Sequence, residues 1–300
     1  MAEELAPLRQ LLEGLCRGKG MHICVHDISG VLQSPALALP DRFQVHATAF
    51  CDAAKATPRG YRACMRCKTL ANDRAQQERA LFYGPCCYGV FKVAQPVEIN
   101  GRVACIVYLS NLSAEPEREA RLRESICRFT GASLPRLQAE AEAFEPVTEL
   151  APYLAIARLV ARYIQALYRQ GGQAPATEGH WAVDAIRRYA EASWQQTVRL
   201  EDVARLYHIN PQYAGRLFRR QMGCSFHAYL NRLRLARAAR QLQEERDKTV
   251  LDVALDCGFP TITYFNRLFL RAYGQSPTAY RQAAAARQDG IVAAQKTELI

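Results

Sequence analysis

The chain has 300 residues, 49% of them hydrophobic, with 39 Lys and Arg against 29 Asp and Glu for a net charge of +10. That length is too great for one small core and fits two domains. No apolar stretch reaches membrane-spanning length, and a start carrying Glu3 and Glu4 does not read as a secretory signal, so a cytoplasmic protein with reduced thiols is expected.

Residues 1–170 are expected to form the first domain. An amphipathic helix covers Glu3 to Cys16, and strand-like runs follow at Met21 to Val25, Ala80 to Tyr83, Gly89 to Ala94 and Val103 to Tyr108. Asn100-Gly101 is a strong hairpin turn. Helices are expected at Phe50 to Ala56, Arg62 to Arg79 and Glu115 to Phe129, which makes a mixed, sensor-like domain with an antiparallel sheet. A last helix, Leu150 to Tyr168, repeats apolar residues at Tyr153, Ile156, Val160, Tyr163 and Leu167. That spacing describes either a dimer seam or a helix lying on its own sheet.

Nine of the eleven cysteines fall in this half. Cys64 and Cys67, two residues apart, can share one ion, and the distant Cys51 and Cys86 can complete a tetrahedral zinc or iron–sulfur site. The other reading is a set of small buried thiols, the reading preferred for Cys16, Cys24, Cys105 and Cys127. His22 and His26 lie near a strand and could line an effector cavity, or could simply be satisfied by local hydrogen bonds.

Residues 171–179 are small, polar and rich in breakers, as a linker would be. Beyond them a unit occurs twice, at about 200–221 and 250–272, with an offset of 50 residues at its start and 51 afterwards. Leu200-Glu201-Asp202-Val203-Ala204 answers Val250-Leu251-Asp252-Val253-Ala254, and Arg216-Leu217-Phe218 answers Arg267-Leu268-Phe269. Such self-similarity marks two copies of one supersecondary unit. In the second copy Thr249 and Asp252 make a capping-box start and Gly258 supplies a left-handed residue between two helices. His208 holds that place in the first copy. Asn210-Pro211 and Ser276-Pro277 each put an N-cap before a proline. These are helix-turn-helix signals. The helix after the first turn is expected to bury Tyr213, Leu217 and Phe218 and to leave Gln212, Arg216, Arg219 and Arg220 outside. Residues 180–300 carry 18 Lys and Arg against 11 Asp and Glu, a net of +7, as a surface that meets phosphates would. Residues 287–300 read as an alanine-rich tail without a site.

On these residues, with Val253-Ala254, Cys257-Gly258-Phe259, Tyr264-Phe265, Tyr273-Gly274 and Tyr280-Arg281, the domain at 180–286 resembles the DNA-binding domain of the AraC/XylS transcription regulators. The resemblance implies an all-α domain in which a long linking helix joins two helix-turn-helix units that read neighbouring major-groove segments of double-stranded DNA. It implies Gln212 and Arg216 in the first unit, and Thr261, Thr263, Asn266 and Arg267 in the second, as base-reading residues. Arg219, Arg220, Arg232 and Arg271 are implied as phosphate contacts. Gly215, where the family often has a longer side chain, suggests fewer direct contacts from the first unit.

The first domain resembles the PocR sensory domain of bacterial regulators through Phe50-Cys51, Cys64 and Cys67-Lys68, Cys86-Cys87-Tyr88-Gly89, Pro96-Val97 and Asn100-Gly101. That resemblance implies a small-molecule effector such as an alcohol, a diol or another hydrocarbon derivative. The expected protein is α+β in class: a non-enzymatic regulator, a homodimer, with DNA, an effector and RNA polymerase as partners, governed by effector or by metal or redox state. Two alternatives are a methyl-accepting repair regulator of the Ada kind, whose cysteine spacing differs, and a constitutive DNA-binding protein whose first domain only dimerises.

Overall fold

The computed structural model describes residues 7–46, 48–171, 180–245 and 247–284. The tail at 287–300 and all but the first residue of the expected linker lie outside them. The chain divides into two compact units, residues 1–223 and 224–300. Packing therefore places the first helix-turn-helix with the sensor-like residues, whereas composition alone puts a boundary at 171–179.

In the first unit α1 (Pro7–Cys16) buries Leu8 and Leu12, and β1 (His22–Asp27) leads into three short 3-10 turns between Val31 and Phe43. The turns hang from one carboxylate. Asp27 Oδ1 accepts from the backbone N–H groups of Ser29, Gly30 and Val31 at 2.8–3.2 Å, and Oδ2 from that of Leu32 at 3.0 Å. Asp27→Ala would leave four amides short of an acceptor, and an expected loss of about 2–4 kcal/mol in urea denaturation checks this.

Two capped helices follow, α2 (Ala49–Ala54) on Thr48 and α3 (Pro58–Glu78) on Thr57, the latter with proline in its first turn. Then come β2 (Phe82–Pro85), β3 (Phe91–Ile99) and β4 (Arg102–Ser113). Asn100 and Gly101 have φ of 52° and 75°, and Ile99 pairs with Arg102, so this is the two-residue hairpin that the dipeptide signals. Next are α4 (Pro116–Thr130), α5 (Leu134–Ala141), β5 (Glu145–Pro146) and α6 (Ala151–Gln170). The sheet has five strands in the antiparallel order β1-β4-β3-β2, with β5 parallel on β4.

Alternation along the strands gives the sheet two different faces. Ile23, Val25, Val93, Val97, Val107 and Leu109 join Leu8, Leu12, Val160, Ile164 and Leu167 in the main core. The apolar stripe of α6 thus lies on its own sheet, with Tyr153, Ile156 and Tyr163 against the same core, and is not a free dimer seam. The other face carries Ala94, Ile106 and Tyr108 against Ala75 of α3.

The unit ends with α7 (His180–Ser193), α8 (Leu200–Leu206) and α9 (Pro211–Met222). Polar ties bind these helices to the earlier residues: Arg188 to Asp41 at 2.8 Å, Gln196 to Asp52 at 3.0 Å, and the Tyr189 hydroxyl to the Met65 sulfur at 2.9 Å.

The second unit holds α10 (Phe226–Glu244), α11 (Val250–Asp256), α12 (Ile262–Tyr273) and helical residues 277–284. The Thr249–Asp252 capping box forms as expected. Phe259, Phe265 and Phe269 are its buried aromatic core, and the Asn231 side-chain amide of α10 donates to the Tyr264 hydroxyl at 2.9 Å, fixing α12. Among the described residues no helix is long and apolar enough to cross a membrane.

Candidate functional site: a cavity under the first helix-turn-helix

Residues of β1, β3 and β4 that point away from the main core supply one wall of a cavity of about 180 Å³: Cys24, His26, Lys92, Ala94 and Tyr108. The helix α3 supplies the opposite wall through Cys67, Lys68, Ala71 and Asn72, whose spacing of three and four puts them on one helix face. Tyr189, Leu206 and Tyr207, from α7 and the end of α8, supply a further wall, and the side at Arg74 and Tyr83 opens to solvent. A cavity near 150 Å³ accepts a benzene-sized molecule, so this one suits a ligand of about six to nine heavy atoms.

The contact with the helix-turn-helix centres on one backbone carbonyl. Leu206 O accepts from the Asn72 side-chain amide at 3.0 Å and from His26 Nε2 at 3.1 Å. Because a carbonyl oxygen only accepts, the His26 proton is on Nε2. Burial pulls the His26 pKa down to about 4, so the ring is neutral. It stacks on Tyr207, with ring centroids 4.6 Å apart, while the Tyr108 hydroxyl donates to Asn72 Oδ1 at 2.6 Å and orients that amide. Two residues beyond Leu206, His208 takes the left-handed turn position with φ 55°, as Gly258 does at 76° in the second copy. The cavity wall therefore runs directly into the turn of the first helix-turn-helix. His26 lines the cavity, and its hydrogen bond is not local but spans 180 residues.

Of the four cysteines singled out for a metal, Cys67 and Cys86 line the cavity. Cys51 Sγ lies 3.3 Å from His46 Nδ1 instead, and Cys64 packs against the small core around Phe50 and Tyr88. All the cysteines are free thiols, and among the described residues no group of three His, Cys, Asp or Glu is placed to hold an ion. The cation facing these thiols is Lys92. Interaction with the Cys87 thiol, against the opposing effect of burial, holds the Cys67 thiol below its ordinary pKa. Burial works against the Lys92 charge, but the thiols of Cys86, Cys51, Cys64 and Cys67 outweigh it and hold the ammonium above its ordinary pKa. Sequence reasoning quoted Lys68 only within the PocR resemblance, with no role of its own, and passed over Lys92, which no local pattern marks.

In α9 the Asn210 side chain caps Gln212 N and Tyr213 N, and Ala214, Leu217 and Phe218 are buried. Gln212, Arg216, Arg219 and Arg220 are exposed. Tyr213 was expected inside but is 43% exposed, because the buried stripe passes through Ala214. A Cβ at Gly215 would lie 3.4 Å from Leu200 of α8. Gly215 thus faces α8 at ordinary van der Waals distance. In α12, Thr263, Asn266, Arg267 and Arg271 are exposed. The Thr261 hydroxyl accepts from Tyr264 N as the N-cap, and the Arg267 guanidinium sits 5.4 Å from the Tyr264 ring centroid. Among the described residues neither Arg216 nor Arg267 has a carboxylate partner. Arg232 is set differently from the other phosphate candidates, its guanidinium donating to Cys224 Sγ at 2.8 Å.

A sensor-like domain with a cavity of small-molecule size, followed by two helix-turn-helix units, defines the class of one-chain regulators. The family described as "Sensory domain found in PocR" matches residues 6–171, more than half of the chain, and that described as "Helix-turn-helix domain" matches residues 203–283. The chain belongs to the family with the PocR-type sensory domain, and its second part is of AraC type. Over 95 residues it is 37% identical to the regulatory protein PocR of Salmonella typhimurium, covering 32% of this chain and 31% of the relative. Over 129 residues it is 34% identical to the transcriptional activator RhaR of Pectobacterium atrosepticum, covering 43% of each. The chain thus matches under half the length of these curated relatives. Among solved structures, the C-terminal domain of AraT, a response regulator from Geobacillus stearothermophilus, is 29% identical, covers 36% of this chain and 88% of its own, and has a TM-score of 0.34.

Proposed function

We propose that this protein is a sequence-specific DNA-binding transcription regulator whose DNA affinity is set by a small molecule in the cavity under its first helix-turn-helix. The observation that carries this reading is the Leu206 carbonyl, held by His26 and Asn72 of the sensory domain at the end of the helix that precedes α9. A ligand can shift an equilibrium only by binding its states unequally. One that displaces or tightens Leu206 and Tyr207 meets that condition directly, with no relay through the linker at 171–179.

The test starts from DNA selected out of a random duplex pool by the full chain. Fluorescence anisotropy is then compared for the wild type and a His26→Leu/Asn72→Leu variant. The wild type is expected to enrich a defined sequence and to bind it with strong salt dependence. The variant is expected to keep the same preferred sequence while its affinity changes by roughly fivefold or more, in the range of allosteric couplings. Absence of enrichment would remove the sequence-specific reading, and an unchanged affinity would remove the coupling through Leu206.

A further inference from the structure

Charge inside the cavity narrows what it binds. Its lining includes three cationic side chains, Lys68, Lys92 and Arg74, and among the described residues no Asp or Glu. Arg74 is already neutralised by Glu78 at 2.9 Å and stacks over Phe82. The two lysines are not. Lys68 donates to the His46 carbonyl at 3.3 Å and has no carboxylate partner, and Lys92 has neither a carboxylate nor a hydrogen-bond partner among the described residues. Lys68 and Lys92 are half-buried, whereas the fully buried Lys55 has Asp52 at 3.3 Å. Buried ammonium groups are costly unless paired. Among the described residues no carboxylate of the lining faces either lysine, so an anionic ligand group would supply the missing partner.

From this geometry we propose that the cavity takes a small organic carboxylate, its carboxyl group set between Lys68 and Lys92 and its hydrocarbon part against Ala71, Ala94 and Tyr189. The inference rests on the effector reading above and names the ligand class for that same site. Hydroxyl-only ligands such as diols would fill the space but bring the two lysines no anionic partner. The cavity volume limits the acid to about the size of butanoate or benzoate.

The experiment is calorimetric titration of the full chain with three probes of equal heavy-atom count, butanoate, butanamide and butane-1,2-diol, with benzoate as a bulkier acid. Butanoate or benzoate is expected to bind roughly ten- to hundredfold more tightly than the amide and the diol, the range for hydrogen bonds to charged groups. Lys92→Met and Lys68→Met are each expected to abolish that preference for the acid over the amide and the diol, and Lys92→Arg to retain it. Thermal melts of each variant show whether it is folded, and the wild-type ranking of the probes decides even if one variant is not. A diol or amide that binds as tightly as the acids would overturn the carboxylate assignment and leave the effector reading standing. No binding of any probe at millimolar concentration would count against both.

Discussion

Gly89→Ala is expected to cost more than about 3 kcal/mol of stability and to lower the thermal midpoint of the full chain by many degrees. Gly89 follows the Cys86-Cys87-Tyr88 turn with φ +70°, where alanine is strained by about 1–2 kcal/mol on backbone grounds alone. A Cβ there would lie 2.2 Å from the Glu119 carbonyl oxygen and 3.0 Å from Glu119 Cα, both backbone atoms. Glu119 cannot give way easily. Its side chain is fully buried and accepts from Ala114 N at 2.9 Å, Glu115 N at 3.0 Å and Ser113 Oγ at 2.8 Å, locking the start of α4 to the end of β4. The Gly89 carbonyl in turn accepts from Arg123 Nη1 at 2.9 Å. Urea denaturation of Gly89→Ala beside the wild type measures the effect, and a loss below about 1 kcal/mol would show that the turn relaxes away from α4.

The largest expected effect on function is that of Arg267→Ala. The side chain is exposed on α12, lies over the Tyr264 ring, and shares an outward face with Thr263 and Asn266 at a spacing of three and four. An arginine held there can make two hydrogen bonds to the O6 and N7 edge of a guanine. Its removal should therefore cost about 1–3 kcal/mol and relax the preference at one base position. Arg220→Ala, in the last turn of α9, should instead weaken all sequences alike and reduce the salt slope by about one. Repeating the selection with each variant separates the two roles. A uniform loss in both would show that Arg267 meets phosphate and not a base.

The helix-turn-helix units were legible in the sequence because their signals are local. Thr249 with Asp252, Asn210 before Pro211, and the left-handed His208 and Gly258 each fix backbone within a few residues, and each is found in the structure where it was expected. The antiparallel sheet was legible for the same reason, through alternation and Asn100-Gly101. The cavity was not. Its walls join Cys24 and His26 to Lys92, Tyr108 and Leu206, residues whose proximity comes from strand order and from docking of α8, neither of which leaves a short-range pattern. A lone lysine in a strand reads as a solvated side chain, so Lys92 gave no warning of its place among thiols. Cys64, picked for its spacing from Cys67, and Cys51, picked as a distant partner, do not line the cavity: both pack in the small core around Phe50 and Tyr88, with Cys51 against His46. The short α5 and β5 escaped notice, having too few residues to show a period.

The shared carbonyl of Leu206 also has a thermodynamic consequence that runs the other way. Coupling free energy between two binding sites is reciprocal. If occupancy of the cavity changes the affinity of the first helix-turn-helix for DNA by some factor, the operator changes the affinity of the cavity for its ligand by that same factor. The effector dissociation constant of the free protein and that of the promoter-bound protein would then be two different numbers, and the concentration at which a cell responds would be set by the second.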